Sequence, residues 1–268
     1  MSGTRRHFTD GGTPLGFEAK FQHETPEFRG KNPVTYLDYQ LDDGIATVRL
    51  DDGKVNALSV DMQAAIGEAI DRAEADDAAI VLTGRPGVFS AGFDLAVIAA
   101  GGSETAAMVI GGFRLAERVL TYPRPVVVAC TGHAIAMGTF LMFAGDYRIG
   151  PDAGTYKWIA NEVAIGLTMP RAAIEMLRMR LTPAAIDRAV ILSYQFGPAD
   201  ALASGYFDQL VPLDDVVDAA LSVAKAALKL DARAHAASKL RTRAPALDAL
   251  ARAIRQDEED FARFLGAD

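Results

Sequence analysis

Hydrophobic and polar positions alternate along two short segments early in the chain, which is typical of paired strands. Residues 36–41 alternate, a turn follows, and residues 45–50 alternate again. Apolar residues then recur at helical spacing over 62–73, behind the capping residue Ser59, and an apolar, β-branched run occupies 79–83. A strand, a helix and a strand in this order predict a parallel sheet.

The longest apolar run, residues 126–145, carries no charge and is long enough to span a membrane. We reject that interpretation, because polar residues and a glycine at 131–133 interrupt the run and its first five residues have the character of a buried strand. The pattern predicts a strand, a tight turn at 131–132 and a buried helix that begins near Ala136 or Met137. The first amide N–H groups of such a helix lack partners within it, so they favour a developing negative charge at the turn.

The rest of the pattern predicts helices with few strands between them. A glycine-rich loop is expected at 84–92. Helices are expected at 104–120, 169–181, 183–192 and 198–204, with a strand at 207–211 and helical structure beyond 213. We divide the chain into three parts: an irregular N-terminal extension (1–33), a core (34–212) and a C-terminal helical region (213–268).

Composition and charge narrow the classes of function. With 268 residues, half of them apolar, the chain can bury a sizeable core. A net charge of −8 and a pI near 5.1 argue against nucleic-acid and membrane partners. Cys130 stands alone in a predicted strand, so it cannot form an internal disulfide and is expected to be an inert buried thiol. Because no apolar segment follows Arg5 and Arg6, we expect no signal peptide and a cytoplasmic location.

Four motifs resemble segments of the crotonase (enoyl-CoA hydratase/isomerase) superfamily. TGHAIAMG at 131–138 resembles the start of the family's oxyanion helix, and VLTGRPGVFSAGFDL at 81–95 resembles its first oxyanion segment. WIANEVAIGLTMP at 158–170 resembles the segment with a catalytic glutamate, and KVNAL at 54–58 resembles the segment that lies along coenzyme A. The resemblance runs from about residue 34 to residue 211. It implies an α/β fold, a crotonase-like spiral of β-β-α turns with a C-terminal helical region, and assembly into a homotrimer or homohexamer.

The resemblance implies three catalytic positions. The backbone N–H groups of Phe93 and Met137 correspond to two donors that hold the oxygen of a thioester enolate. Glu162 corresponds to the family's catalytic glutamate. The alternative for Glu162 is an ordinary surface glutamate without a catalytic role. We expect its carboxylate to be poorly solvated, which raises its pKa and suits proton transfer. The apolar neighbours in the sequence that lead to this expectation are Val163, Ile165 and Leu167.

Other positions correspond to substrate contacts of the family. Those expected to bind the acyl-CoA are Lys54, Val55, Ala57, Ala91, Asp94, Leu95, Gly138 and Phe140. The sequence has Ala96 where the family often has a lysine that binds phosphate. Candidates to replace that lysine are Lys239, Arg241 and Arg243, although a solvated helix face is the more ordinary role for them.

Two departures from the family bear on the reaction. Ala136 and Met137 replace glycines, but a backbone donor tolerates any residue except proline, so the oxyanion hole is kept. Phe140 replaces the first of a hydratase's two glutamates. Hydration needs two carboxylates, whereas double-bond isomerisation needs one that moves a proton between two carbons. We therefore expect an enoyl-CoA isomerase, with enoyl-CoA hydratase of fatty-acid β-oxidation and a non-catalytic acyl-CoA-binding protein as alternatives.

Two other chemistries find little support. Residues 87–92 superficially suggest the G-x-S-x-G nucleophile elbow around Ser90, but the first glycine lies one residue too far away, so Ser90 is expected to be a loop residue. The four histidines lack metal-ligand spacing, and His133 is expected to be packed and hydrogen-bonded. We expect no metal and no cofactor besides the coenzyme A thioester that serves as substrate.

Overall fold

The computed structural model of the chain describes residues 36–265, and the extension expected at 1–33 lies outside this range. Its strands are β1 (Leu37–Asp42), β2 (Ile45–Leu50), β3 (Ala79–Thr83), β4 (Gly87–Ser90), β5 (Val126–Ala129), β6 (Gly132–Ile135), β7 (Tyr147–Pro151), β8 (Trp158–Ile159) and β9 (Gln209–Val211). Its helices are α1 (Val60–Ala75), α2 (Leu95–Ala100), α3 (Gly102–Thr121), α4 (Met137–Phe143), α5 (Arg171–Arg178), α6 (Pro183–Leu192), α7 (Pro198–Ser204), α8 (Val216–Ala227) and α9 (Ala232–Leu265). Within the described range, no helix combines the length and apolarity needed to cross a membrane.

The larger of two sheets is the scaffold. Its strand order is β1-β2-β3-β5-β7-β9, with β1 and β2 antiparallel and the other neighbours parallel. Helix α8 covers one face through Val216, Ala220 and Ala224, while α1 and α3 contribute to the core on the other face. Strands covered on both faces consist of nearly continuous apolar residues, so the sequence predicts them well.

The hairpin and the first helix form as the sequence predicts. Strands β1 and β2 pair with Asp42 opposite Ile45, on either side of the turn. Ser59 caps α1, because its hydroxyl accepts a hydrogen bond from the N–H of Met62 at 3.2 Å. These elements fix the edge and the first layer of the scaffold.

A smaller sheet of three strands, which the sequence does not predict, has the order β4-β6-β8 with all pairs parallel. Strand β4 lies within the predicted loop at 84–92, and β6 begins at the predicted turn, so both of those predictions are wrong. The strands are two to four residues long. A Cβ on Gly132 would lie 2.0 Å from the carbonyl carbon of Gly87. The close backbone contact excludes a side chain there, and without one the sequence shows no strand pattern.

One repeating path builds both sheets. The successive pairs β3–β4, β5–β6 and β7–β8 each place their first strand in the larger sheet and their second in the smaller one. Helical structure follows each pair. This is the spiral of β-β-α turns that the resemblance implies, and it is confirmed.

The later helices follow the prediction with small differences. Helices α6 and α7 have the predicted bounds, α5 begins two residues later than predicted, and α2 is not predicted at all. Helix α9 contains Pro245 and packs against α3 and α5. The C-terminal helices therefore contact the core of the spiral in the same chain.

Candidate active site

The strands of the smaller sheet end at one edge, and each is followed closely by a predicted catalytic residue. Phe93 lies three residues after β4, Met137 two after β6 and Glu162 three after β8. Strand β6 pairs with both of the others, so Met137 follows the central strand. Ligands of parallel sheets bind beyond the carboxyl ends of the strands. The structure thus brings the three residues to an edge suited to a ligand.

The two predicted oxyanion donors lie on segments in direct contact. Gly92 has a φ of 87° and packs so closely on the start of α4 that a Cβ there would lie 3.2 Å from the amide nitrogen of Met137. Among residues 36–265, the amide N–H groups of Phe93 and Met137 donate to no backbone or side-chain acceptor. Two neighbouring amide donors without acceptors are the arrangement that can hold an oxyanion.

A sharp bend at Ala136 turns the chain from β6 into α4. Ala136 has a φ of 48° and a ψ of −122°, a conformation that strains a residue with a Cβ. Its N–H donates to the carbonyl of Ile159 at 2.9 Å, and its carbonyl accepts from the N–H of Thr139 at 2.9 Å. Met137 is therefore the first helical residue, whose N–H has no acceptor inside the helix.

Glu162 supplies a buried carboxylate at this edge. Its side chain is 8% exposed, burial raises its pKa from 4.5 to about 7, and Oε2 has no hydrogen-bond partner among the described residues. Tyr206 is fully buried, and its pKa is raised first by burial and then by the charge of Glu162. The expected burial of Glu162 is confirmed, but the expected cause is wrong. The sequence neighbours Val163, Ile165 and Leu167 are 45%, 48% and 40% exposed.

The segment predicted to lie along coenzyme A pairs with the first oxyanion segment. The N–H of Ala91 donates to the carbonyl of Val55 at 3.0 Å, and the N–H of Leu58 donates to the carbonyl of Gly92 at 2.7 Å. These bonds place Ala57 opposite Gly92 in a parallel bridge. The predicted contacts Val55, Ala57 and Ala91 therefore form one continuous backbone surface next to Phe93.

Asp52 organises the loop before this segment, and sequence reasoning missed it. Its carboxylate accepts hydrogen bonds from the N–H groups of Lys54, Asn56 and Ala57 at 2.7, 2.9 and 3.1 Å. The only signal in the sequence is the run Asp51-Asp52-Gly53, since aspartate often bonds to the backbone a few residues ahead. Lys54 itself is exposed, so its ammonium group is available to a charged ligand.

Aromatic rings line the side of the edge that faces α3. The ring of Phe93 meets that of Phe113 edge-on with centroids 6.4 Å apart, and Phe113 lies 5.9 Å from Phe140. Gly112 leaves room for them, since a Cβ there would lie 2.7 Å from the Phe93 ring and 3.3 Å from the sulfur of Met137. Phe140 is 1% exposed. This cluster of rings is apolar and offers no second base.

The remaining predicted contacts lie at the starts of α2 and α4. Asp94 caps α2, with its carboxylate accepting from the N–H of Ala96 at 2.8 Å, and Leu95 is 65% exposed. Gly138 is buried, and a Cβ on it would lie 2.4 Å from the carbonyl oxygen of Ser90. Glycine at 138 therefore permits α4 to approach β4.

The basic residues proposed to replace the missing lysine are largely committed elsewhere. Lys239 and Arg243 each contact the carboxylate of Asp146 at 2.8 Å. The side chain of Lys239 is 4% exposed, so the expectation of a solvated face is wrong for this residue. Arg241 is exposed, as that expectation requires.

Three other polar residues have clear structural roles. Ser90 is fully buried in β4 and donates to the carbonyl of Asn56 at 2.7 Å, so its prediction as a loop residue is wrong. Cys130 is fully buried and burial raises the pKa of its thiol to about 12, which confirms an inert thiol. His133 accepts a hydrogen bond at Nδ1 from the N–H of Lys157 at 2.8 Å, as predicted.

Comparisons with known proteins identify the family to which the chain is similar. Residues 40–268 match the family model for enoyl-CoA hydratase/isomerase. The chain is 34% identical over 245 residues to "Probable enoyl-CoA hydratase echA17" of Mycobacterium avium (strain 104), which covers 88% of this chain and 93% of that protein. It resembles the crystal structure of an enoyl-CoA hydratase, ECHA3, from Mycobacterium marinum, with a TM-score of 0.82, 46% identity and coverage of 85% and 100% of the two chains. It also resembles the apo structure of an enoyl-CoA isomerase of Mycobacterium tuberculosis, with a TM-score of 0.79, 46% identity and coverage of 85% and 98%.

Proposed function

The chain belongs to the enoyl-CoA hydratase/isomerase (crotonase) superfamily, and within it we propose that the protein is an isomerase that moves the double bond of an enoyl-CoA with one glutamate. It is an enzyme of the hydratase/isomerase type. The proposal concerns which of the two reactions it favours, and which groups perform it.

One observation carries the choice of isomerisation: among residues 36–265, Glu162 is the one buried carboxylate that keeps an oxygen without a hydrogen-bond partner, and it follows a strand of the smaller sheet. Among the described residues, the buried acidic side chains are those of Glu162 and Asp257. The oxygens of Asp257 accept hydrogen bonds from the N–H groups of Arg171 and Ala172 at 3.1 and 3.0 Å, which commits it to the start of α5. Within the part of the chain that the structure describes, Glu162 retains an oxygen without a partner, and burial raises its pKa to about 7. A base with that pKa can both take and return a proton near neutral pH.

In the proposed reaction, Glu162 takes a proton from C2 of a 3-enoyl-CoA. The electron pair moves towards the thioester carbonyl, whose oxygen becomes an enolate held by the N–H groups of Phe93 and Met137. The resulting dienolate takes the proton back from Glu162 at C4, which leaves the double bond between C2 and C3. Atoms and charge balance, so neither water nor a second carboxylate is required.

The expected size of each contribution is consistent with these roles. A positioned general base contributes roughly 10²- to 10⁴-fold to a rate. Each oxyanion donor contributes about 3 kcal/mol, because it bonds to the charge that develops during the reaction more strongly than to the neutral carbonyl. Backbone N–H groups can do this at Phe93 and Met137 even though both side chains are larger than the family's usual residues.

Hydration of a 2-enoyl-CoA is the second candidate, because the similar proteins include hydratases. Hydration adds water at C3 and a proton at C2, and two carboxylates serve these two ends best. The resemblance places one of them at Phe140, whose ring packs on Phe113 with centroids 5.9 Å apart. We therefore expect Glu162 alone to support hydration poorly.

The test compares both reactions in the purified protein through the absorbance of the conjugated enoyl thioester. A 3-enoyl-CoA should give a rise as it becomes the 2-enoyl isomer, and a 2-enoyl-CoA should give a slower fall as it takes up water. Phe140→Glu should raise hydration at least about tenfold if it still folds, because it adds the second carboxylate. Burial of that charge costs stability, so its fold is checked first by circular dichroism.

Phe140→Leu is the matched control, because it removes the ring without adding a base and should not raise hydration. Efficient hydration by the unmodified protein without isomerisation would contradict the proposal. Binding of both thioesters without turnover of either would instead support the non-catalytic alternative.

A further inference from the structure

We propose that Ser90 is a positioning residue that sets the separation of the two oxyanion donors. Ser90 touches no reacting atom in the proposed reaction, and it acts through the backbone of Gly92 and the start of α4. This inference rests on the proposed function, because it assigns a role within the same oxyanion hole. It concerns how two backbone segments are held in register.

The hydroxyl of Ser90 uses both its donor and its acceptor capacity on backbone groups. Its O–H donates to the carbonyl of Asn56 at 2.7 Å, and Oγ accepts from the N–H of Gly92 at 3.1 Å. Ser90 is fully buried, so water cannot replace either bond. One side chain therefore connects the segment along coenzyme A to the residue before Phe93.

The Asn56 side of this connection is itself fixed. Asn56 is fully buried and has a φ of 53°. Its side-chain amide donates to the carbonyls of Leu50 and Phe89 at 2.9 and 3.1 Å, and its Oδ1 accepts from the N–H of Asp52 at 3.0 Å. Ser90 thus holds Gly92 to a point that is anchored in the larger sheet.

Ser90 also contacts the segment of the second donor. A Cβ on Gly138 would lie 2.4 Å from the carbonyl oxygen of Ser90 and 2.9 Å from its Cβ. Ser90 also bonds to Gly92, and Gly92 lies close to the same segment: a Cβ built on it would lie 3.2 Å from the amide nitrogen of Met137. Any relaxation of the backbone around Ser90 therefore changes the distance between the N–H groups of Phe93 and Met137.

This geometry predicts a defect in enolate stabilisation without a matching defect in binding. In Ser90→Ala, the N–H of Gly92 and the carbonyl of Asn56 lose their buried partners, and the backbone must shift to find others. A neutral thioester tolerates such a shift. An enolate oxygen needs both donors at hydrogen-bond distance at the same time.

The experiment uses acetoacetyl-CoA, a ligand that Glu162 need not turn over. Its α-carbon is acidic, so an oxyanion hole shifts the bound ligand towards its enolate, which absorbs in the near ultraviolet. We expect the purified protein to form the enolate, and Ser90→Ala to reduce the ratio of bound enolate to keto form at least about tenfold. The affinity for butyryl-CoA, which forms no enolate under these conditions, should change less than about threefold.

Two control variants separate positioning from general loss of stability. Ser90→Cys keeps a weak donor and acceptor and should recover part of the enolate signal; it also replaces Ser90→Ala as the test if the alanine variant does not fold. Thr83→Val removes another buried hydroxyl, which donates to the carbonyl of Ala129 at 2.9 Å in the larger sheet. It should lower the melting temperature and leave the enolate ratio unchanged.

The outcomes distinguish this inference from the proposed function. A wild-type enolate ratio in a folded Ser90→Ala variant would overturn the positioning role alone. If Ser90→Ala does not fold, a wild-type ratio in Ser90→Cys would do the same, because that variant should recover only part of the signal. Loss of the ratio in Thr83→Val to the same extent as in Ser90→Ala would also overturn it, because the effect would then follow stability. If the unmodified protein bound acetoacetyl-CoA without forming the enolate, the oxyanion hole itself would be wrong, and both proposals would fall.

Discussion

The two sheets of this chain are held together in different ways. Strands β3 and β5 of the larger sheet pair through buried aliphatic residues that helices cover from both faces. In the smaller sheet, backbone meets backbone: a Cβ on Gly132 would lie 2.0 Å from the carbonyl carbon of Gly87. Helix α4 packs on this sheet just as closely, because a Cβ on Gly138 would lie 2.4 Å from the carbonyl oxygen of Ser90. The larger sheet gains stability from the burial of side chains. In the smaller sheet, glycines bury no side chain, and their backbone packs directly on the backbone of the neighbouring segment.

The difference explains why the predicted chemistry follows the smaller sheet. The oxyanion donors are backbone N–H groups, and two of them can reach one oxygen only if their chain segments lie closer than side chains normally allow. Phe93, Met137 and Glu162 all follow strands of this sheet. The larger sheet is thus the scaffold of the spiral, and the smaller sheet holds the close backbone contacts beside the site. Substitutions in the two sheets should therefore have different effects on stability and activity.

The largest effect is expected for Glu162, which lies at the edge of the smaller sheet. Glu162→Gln keeps the shape of the side chain but cannot accept the C2 proton, so kcat should fall by roughly 10²- to 10⁴-fold while acyl-CoA still binds. Asp257→Asn is the matched control, since Asp257 is the other buried carboxylate of the described residues and caps α5. It should lower stability and leave kcat nearly unchanged. Equal losses of kcat in both variants would place the proton transfer elsewhere.

The pKa of Glu162 gives the same variant a second readout. In the folded protein, Glu162 holds its proton up to about pH 7, whereas the unfolded chain releases it near 4.5. The folded state therefore binds more protons in this window, and its stability falls as the pH rises through it, by about 3 kcal/mol in total. Glu162→Gln should lack this fall, so its stability relative to wild type should be higher at pH 8.5 than at pH 4 in denaturant titrations. The wild-type turnover should rise through about pH 7, because the base must be ionised.

The second prediction compares glycines in the two sheets. Gly132→Ala forces a Cβ against the backbone of Gly87 and should cost about 3 kcal/mol of unfolding free energy. Gly150→Ala, in β7 of the larger sheet, meets the ring of Phe207 at 2.7 Å, and a ring can move more readily than a strand. We expect it to cost about half as much. Denaturant unfolding of both variants measures the difference.

Gly197→Ala serves as the baseline for these two glycines. It has a φ of −84° at the N-cap of α7, and a Cβ there meets nothing within 4 Å, so the cost is limited to alanine's poorer fit at a cap and should stay below about 1 kcal/mol. Gly132→Ala should also lose activity, because β6 leads directly into Met137. A Gly132→Ala variant with wild-type stability would contradict the view that backbone contact defines the smaller sheet.

The same difference decides what the sequence could predict. The larger sheet and α1 follow from apolar periodicity and from the cap at Ser59, because their residues are chosen for burial. Strands β4, β6 and β8 are only two to four residues long, and β4 and β6 each begin with a glycine, so they show no period and residues 84–92 look like a loop. Glycine in a strand interior indicates close approach, but it does not identify the partner.

The motifs in the sequence predict which residues belong to the candidate site, but not the contacts that surround them. The resemblance places Phe93, Met137 and Glu162, and the structure brings them to one edge. It does not give the burial of Glu162 its correct cause, since the apolar sequence neighbours Val163, Ile165 and Leu167 are themselves 45%, 48% and 40% exposed. The bonds of Ser90 are equally invisible, because Asn56 lies 34 residues away. A local sequence pattern cannot predict a hydrogen bond between residues that only the folded chain brings together.

The smallest effect is expected at Ala136, where the smaller sheet stores strain. Ala136 has a φ of 48°, and the resemblance places a glycine there. Ala136→Gly should relieve the strain and raise the unfolding free energy by about 1 kcal/mol, after allowance for the greater freedom of glycine in the unfolded chain. The amide of Met137 is unchanged by this substitution, so kcat should stay within about threefold of wild type. Denaturant unfolding and the isomerisation assay measure the two expectations.

Asp43→Gly tests whether this gain belongs to the smaller sheet. Asp43 has a nearly equal φ of 47°, but it lies in the hairpin of the larger sheet, and aspartate tolerates that conformation better than alanine does. Its replacement should change the unfolding free energy by less than about 0.5 kcal/mol. Equal gains in the two variants would mean that positive φ alone sets the cost. A gain in unfolding free energy at Ala136 alone would show that the contacts aligning Met137 with Phe93 hold Ala136 in a strained backbone conformation.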